Sequence, residues 1–129
     1  MNEPNEKDNK RVLIVEDEGH LRQAVAKMLR KVGYEVFEAA DGSSAIDLLR
    51  AAGGKIDVIL LDMTLPGASS YEIIAQAANA KPDIRIILTS AYSQEMIADA
   101  MRAPQVRSFI RKPFRFGELL NTLRSSLPS

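Results

Sequence analysis

The sequence predicts an α/β fold: five strands alternating with five helices, (βα)5, doubly wound around one parallel five-stranded sheet. Three observations carry this. Five short apolar runs punctuate the 129 residues, most of them rich in Val and Ile, which suit a buried pleated surface. Apolar residues at helical spacing fill the intervals between the runs. Gly and Pro fall at the junctions, where helices stop.

The strands are expected at residues 12–15, 34–37, 56–61, 84–88 and 108–110. Leu21, Val25, Met28, Leu29 and Val32 stripe the first helix. Ala45, Ile46 and Leu49 mark the second, and Ile73, Ile74, Ala77 and Ala78 the third. Met96, Ile97, Ala100 and Met101 mark a fourth, and Leu119, Leu120, Leu123 and Leu127 a fifth. Gly33 ends the first helix, Gly53-Gly54 the second, and Pro82 follows the third; Ser43 and Ser93 are suited to cap helix starts. Such alternation places helices on both faces of a parallel sheet. Right-handed crossovers leave the flavodoxin-like order 2-1-3-4-5 as the leading topology.

One domain over residues 11–127 accounts for the length. Residues 1–10 are polar, lack the apolar core of a signal peptide, and read as a disordered leader. Apolar residues make up 46% and charged residues 26%, an ordinary globular balance. Lys plus Arg equal Asp plus Glu at 17 each, so no net field favours nucleic acid or an anionic membrane. The absence of cysteine excludes disulfides and thiolate metal sites and suits a cytoplasmic location. No apolar run approaches the roughly 20 residues needed to span a bilayer.

The stretch ILLDMTLPG, residues 59–67, drives an apolar strand into Asp62 and then stops it. A charge beside a core is costly unless paired or used. In a sheet of this order the working crevice lies at the carboxyl ends of the strands. Glu16, Asp17 and Glu18 follow the first strand, Asp62 ends the third, Thr89-Ser90 the fourth, and Arg111-Lys112-Pro113 follow the fifth. Each alone has a plainer role: a helix cap, a backbone bridge, a turn. Their joint placement on adjacent strand ends points to chemistry. Clustered carboxylates repel one another unless a hard divalent cation sits among them, and Mg2+ suits a few carboxylates with waters and phosphate oxygens. A carboxylate there can attack phosphorus to give an aspartyl-phosphate. Lys112 and Ser90 would then bind two of the phosphoryl oxygens. His20, the single histidine, starts the first helix and reads as surface.

Together VLIVEDE, LLDMTLP, TSAY and KPF at 112–114 resemble receiver domains of two-component signalling, over roughly residues 10–127. The resemblance implies that Asp62 accepts a phosphoryl group from a histidine kinase or phosphotransfer protein. It implies that Asp17 binds Mg2+ directly, Glu16 through water, and Thr64 through its backbone carbonyl. Lys112 matches the phosphate-binding lysine, ahead of a cis bond to Pro113. Ser90 and Phe109 match a coupled switch that alters the surface of the fourth helix, fifth strand and fifth helix; the plainer reading of Phe109 is a permanent core ring. The chain is thus expected to be a phosphoacceptor that assists its own phosphorylation and dephosphorylation rather than a turnover enzyme.

Three departures from the family pattern stand out. Ser70 replaces a frequent Gly and is expected to leave the chemistry untouched. The stretch 103–106, Ala-Pro-Gln-Val, replaces Gly-Ala and suggests a modified turn. Tyr92 flanks the water path and suggests slow self-dephosphorylation. Competing readings are a phosphorylation-independent interaction module, an aspartyl-nucleophile phosphatase and a flavin carrier. The first is opposed by the intact set of Asp17, Asp62, Ser90 and Lys112. The second lacks an acid at Thr64, and the third lacks a phosphate-cradling loop where EDEGH stands. A DNA-binding regulator would require a further domain. A stand-alone receiver and one excised from a hybrid sensor kinase both fit, and the lost Gly leans toward the latter.

Overall fold

The computed structural model describes residues 10–65, 69–91 and 98–127. Val and Ile runs give five strands: β1 (Arg11–Val15), β2 (Glu35–Ala39), β3 (Val58–Asp62), β4 (Arg85–Ser90) and β5 (Val106–Arg111). All neighbours pair in parallel, in the order β2-β1-β3-β4-β5. Four α-helices lie among the described residues: α1 (Gly19–Lys31), α2 (Gly42–Ala52), α3 (Ser70–Ala80) and α4 (Phe116–Ser126).

Strand side chains alternate between two cores. Leu13, Val15, Ile59, Leu61, Ile86 and Leu88 face one way, with Ile46, Leu49, Ile73 and Ala77 of α2 and α3. Val12, Ile14, Val58, Leu60, Ile87 and Ile110 face the other, with Val25, Leu29, Leu119 and Leu123 of α1 and α4. Burial on both faces explains why β3 reads as an unbroken apolar run.

Several expectations are corrected. The fourth predicted helix falls largely outside the described residues; of its stripe, Ala100 and Met101 are described and lie in a 3-10 turn over Ala100–Arg102. Pro104 restricts Ala103 to extended backbone and ends it. Tyr92, Ser93, Met96 and Ile97 lie outside the described residues, as do Pro66, Gly67 and residues 1–9 of the leader. Asp41, not Ser43, caps α2: its carboxylate accepts the Ser44 N–H at 2.7 Å, while Ser43 is already helical. Met28 is 41% exposed and Ala26 is buried instead, because the face α1 turns to the sheet is rotated toward Ala26 relative to the predicted stripe. Strand β3 starts two residues late, after a 3-10 turn at Gly53–Lys55. Strand β5 is longer than expected because pairing with β4 extends it to Val106 at one end and Arg111 at the other, taking Arg107 with it.

Gly33 does close α1, at φ 109°, a left-handed conformation that glycine adopts without strain. The stretch 103–106 forms the turn before β5. The Val106 N–H donates to the Ala103 carbonyl, Ile86 N–H to that of Gln105, and the ladder slips between Ile86 and Ile87.

Candidate phosphoacceptor site

The acidic triplet after β1 splits into three jobs. Glu18 caps α1, accepting the N–H groups of His20 at 3.0 Å and Leu21 at 2.8 Å. Those two bonds hold its carboxyl below the usual range. Glu16 turns inward and is buried; its Oε2 accepts the Glu18 N–H at 3.0 Å and its Oε1 pairs with Lys112 Nζ. Asp17 stays exposed. Glu16, Asp17 and Asp62 each bring one carboxylate oxygen within 4.8 Å of the others.

Asp62 is 2% exposed at the end of β3. Its Oδ1 accepts both the backbone N–H and the hydroxyl of Thr64, each at 3.0 Å. Its Oδ2 accepts from Lys112 Nζ at 3.1 Å. The Ser70 hydroxyl donates to the Asp62 carbonyl at 3.2 Å. Ser70, expected to leave the chemistry untouched, thus bonds the backbone of the central aspartate and not its carboxylate. Neither the Thr64 hydroxyl bond nor this one was signalled by the sequence beyond the residues' being hydroxylic and near Asp62.

Lys112 reaches Glu16 and Asp62 from just beyond β5, immediately before a cis bond to Pro113. Its amide donates to the Ser90 carbonyl at 2.8 Å, joining the ends of β4 and β5. Ser90 is fully buried, and Asp62 lies opposite Thr89 in the ladder. Phe109 is half-buried and packs on the core that contains Leu88. His20 is exposed, and its backbone N–H donates to Glu18 at the α1 cap.

Electrostatics tie the group together. Burial pushes Glu16 above the usual carboxylate range and the nearby Asp62 charge adds to this, against the pull of Lys112 and the Glu18 amide. For Lys112, burial works against the charge, but the hydrogen bond with Glu16 and the attraction of Asp62 outweigh it and hold the ammonium above its ordinary value. Lys112 thus acts as the cation that lets two buried carboxylates share one rim. All the donors facing the trio's centre are hard oxygens, a set that fits Mg2+ and not a soft ion.

Comparison with known proteins agrees with this geometry. The response regulator receiver domain model matches residues 12–124. Sporulation initiation phosphotransferase F of Bacillus subtilis is 31% identical over 121 residues, 93% of this chain and 95% of that protein. Sensor kinase CckA of Brucella abortus is 31% identical over 90% of this chain, which spans only 12% of the kinase. The structure of the response regulator TrrA from Thermotoga maritima in complex with Mg2+-BeF superposes with a TM-score of 0.77. It is 30% identical, over 92% of this chain and 99% of that one. This chain belongs to the response regulator receiver domain family, the phosphoacceptors of two-component phosphorelays.

Proposed function

We propose that Asp62 is the phosphoryl acceptor and that Lys112, Ser90 and the acidic pair Glu16 and Asp17 serve its reaction. The observation that carries the reading is the Lys112 ammonium bonded to both Glu16 and Asp62. A cation so placed can remain with a phosphoryl oxygen once Asp62 becomes an acyl phosphate. An Asp62 carboxylate oxygen forms a bond to phosphorus while the bond from phosphorus to the donor imidazole breaks. The imidazole nitrogen keeps the electron pair and regains a proton. Thr64 orients the carboxylate through its paired bonds to Oδ1. Glu16, Asp17 and Asp62, with the Thr64 backbone carbonyl, would hold Mg2+, whose charge offsets that of the carboxylates and the phosphoryl group. The complex of TrrA with Mg2+-BeF supports that choice of ion.

Ser90 then bonds a phosphoryl oxygen, and Phe109 fills the space this vacates, biasing two packings of the face formed by residues 98–126. The donor is a histidine kinase or phosphotransfer protein; similarity to sensor kinase CckA and to sporulation phosphotransferase F supports that class. No helix among the described residues is long and apolar enough to cross a membrane, and a cytoplasmic location accompanies this reading.

The test is to incubate the protein with Mg2+ and acetyl phosphate or a phosphoramidate and weigh it intact. One acid-stable, base-labile phosphoryl adduct is expected, absent in Asp62→Ala and strongly reduced without Mg2+. An adduct that survives Asp62→Ala, or none in the unaltered protein, rejects the assignment.

A further inference from the structure

Arg22 projects from the first turns of α1 and touches no carboxylate of the trio, yet its side chain is only 16% exposed. Its Nη1 donates to the Glu16 backbone carbonyl at 2.9 Å. Its Nε donates to Glu38 Oε1 at 3.3 Å. Glu38 stands on the edge strand β2, and its other oxygen accepts from Arg30 Nη1 at 3.2 Å. Arg30 in turn donates to the Val36 carbonyl at 2.9 Å. A line of charge-assisted bonds therefore runs from the sheet edge, through α1, to the peptide that links Glu16 to Asp17.

Glu16 is held on both sides. Its N–H donates to the Ala39 carbonyl at 3.0 Å, at the end of β2, and its carbonyl is taken by Arg22. The Glu16 carbonyl belongs to the peptide unit from which Asp17 departs, so fixing that plane limits where the Asp17 carboxylate can point. A bare guanidinium this close would also repel a divalent cation. Glu38 both anchors it and offsets its charge.

We propose that Arg22 is a positioning residue for the divalent-cation site, clamping the Glu16–Asp17 peptide, with Glu38 as its anchor. The proposal rests on the Mg2+ reading above. Position and charge predict opposite signs. If charge alone mattered, deleting Arg22 would tighten cation binding; if the clamp matters, deletion weakens it.

Mg2+ affinity of the full chain, measured by calorimetry well below the unfolding transition, separates the two. Arg22→Ala is expected to weaken binding roughly tenfold, the scale on which groups that orient metal ligands act. Glu38→Gln weakens it as well. The double variant is no weaker than Arg22→Ala, because the pair acts as one unit. Arg22→Lys keeps a donor and recovers most of the affinity. Arg30→Ala removes the other partner of Glu38 without touching Glu16 and leaves affinity unchanged. A metal-free readout runs beside it. Amide exchange at Glu18, whose N–H donates to the Glu16 carboxylate, speeds up in Arg22→Ala and not in Arg30→Ala.

An affinity unchanged or raised in Arg22→Ala, or lowered equally in Arg30→Ala, overturns the proposal. Should Arg22→Ala fail to fold, amide exchange at Glu18 in metal-free Glu38→Gln decides: faster exchange supports the clamp, and unchanged exchange overturns it, because a lost charge balance alone does not loosen that peptide. If the unaltered protein binds no Mg2+, the functional reading fails instead, and amide exchange alone decides whether the clamp exists.

Discussion

Lys112 Nζ lies 3.1 Å from Asp62 Oδ2, although fifty positions separate the two residues in the chain. The same nitrogen pairs with Glu16, so one ammonium serves two carboxylates that are almost entirely buried. Removing it leaves both acids without their counter-ion. Lys112→Met is expected to cost about 3 kcal/mol in the metal-free protein, the scale for breaking a buried pair from one side. Added Mg2+ should restore part of that loss, and Lys112→Ala should retain metal binding while uncoupling modification from conformational change. Denaturant titrations with and without Mg2+ check the first point; amide spectra before and after phosphorylation check the second.

Asp57 provides a pH test away from the acidic trio. Burial opposes its charge, yet the Arg11 N–H at 2.8 Å and Lys81 Nζ at 3.0 Å hold its carboxyl below the usual range. A carboxyl whose folded pKa is depressed stabilises the fold above its unfolded pKa, about 3.9. That contribution is lost as pH falls through the folded value. The stability difference between the unaltered protein and Asp57→Asn should therefore be flat from pH 7 to about 5, begin to shrink near pH 4, and vanish only once the pH is below the depressed folded value. Urea midpoints across that range read it directly.

Ser70 bonds the Asp62 carbonyl from the start of α3 and is 5% exposed. Ser70→Ala should lower stability by about 1 kcal/mol, the net worth of one buried hydrogen bond. Because the bond holds the backbone of the proposed acceptor, the same variant should also slow phosphorylation by acetyl phosphate. Unfolding and intact-mass time courses on one preparation measure both.

Gly53 and Gly54 are adjacent but not equivalent. A Cβ on Gly53 would sit 2.6 Å from the Ala80 Cβ, whereas one on Gly54 meets nothing closer than 3.9 Å. Gly53→Ala should force α2 and α3 apart at a cost of about 1–3 kcal/mol, typical of overpacking. Gly54→Ala should be nearly neutral. Paired thermal melts decide it.

Local pattern was enough for much of this molecule. Strand order followed from the βα alternation, because two-sided burial makes parallel strands unbroken apolar runs and right-handed crossovers prune the alternatives. The placement of Glu16, Asp17, Asp62, Ser90 and Lys112 at strand ends followed from the same counting. Helix starts were less legible: Asp41 and Ser43 are both good caps, and only the backbone path chooses between them. At the end of the fourth stripe, Pro104 holds Ala103 extended, two residues past Met101, and so fixes where the turn at Ala100–Arg102 stops.

Chain order by itself determined which elements form, which of their faces are apolar, and which chemical groups arrive at the sheet's working edge. Tertiary structure alone decided which of those groups meet. The double pairing of Lys112, the hold of Ser70 on Asp62, the Arg22–Glu38 line and the contact of Gly53 with α3 all join segments distant in sequence. Periodicity records the environment a residue needs, whereas a hydrogen bond depends on how whole elements pack, and no local pattern encodes that distance.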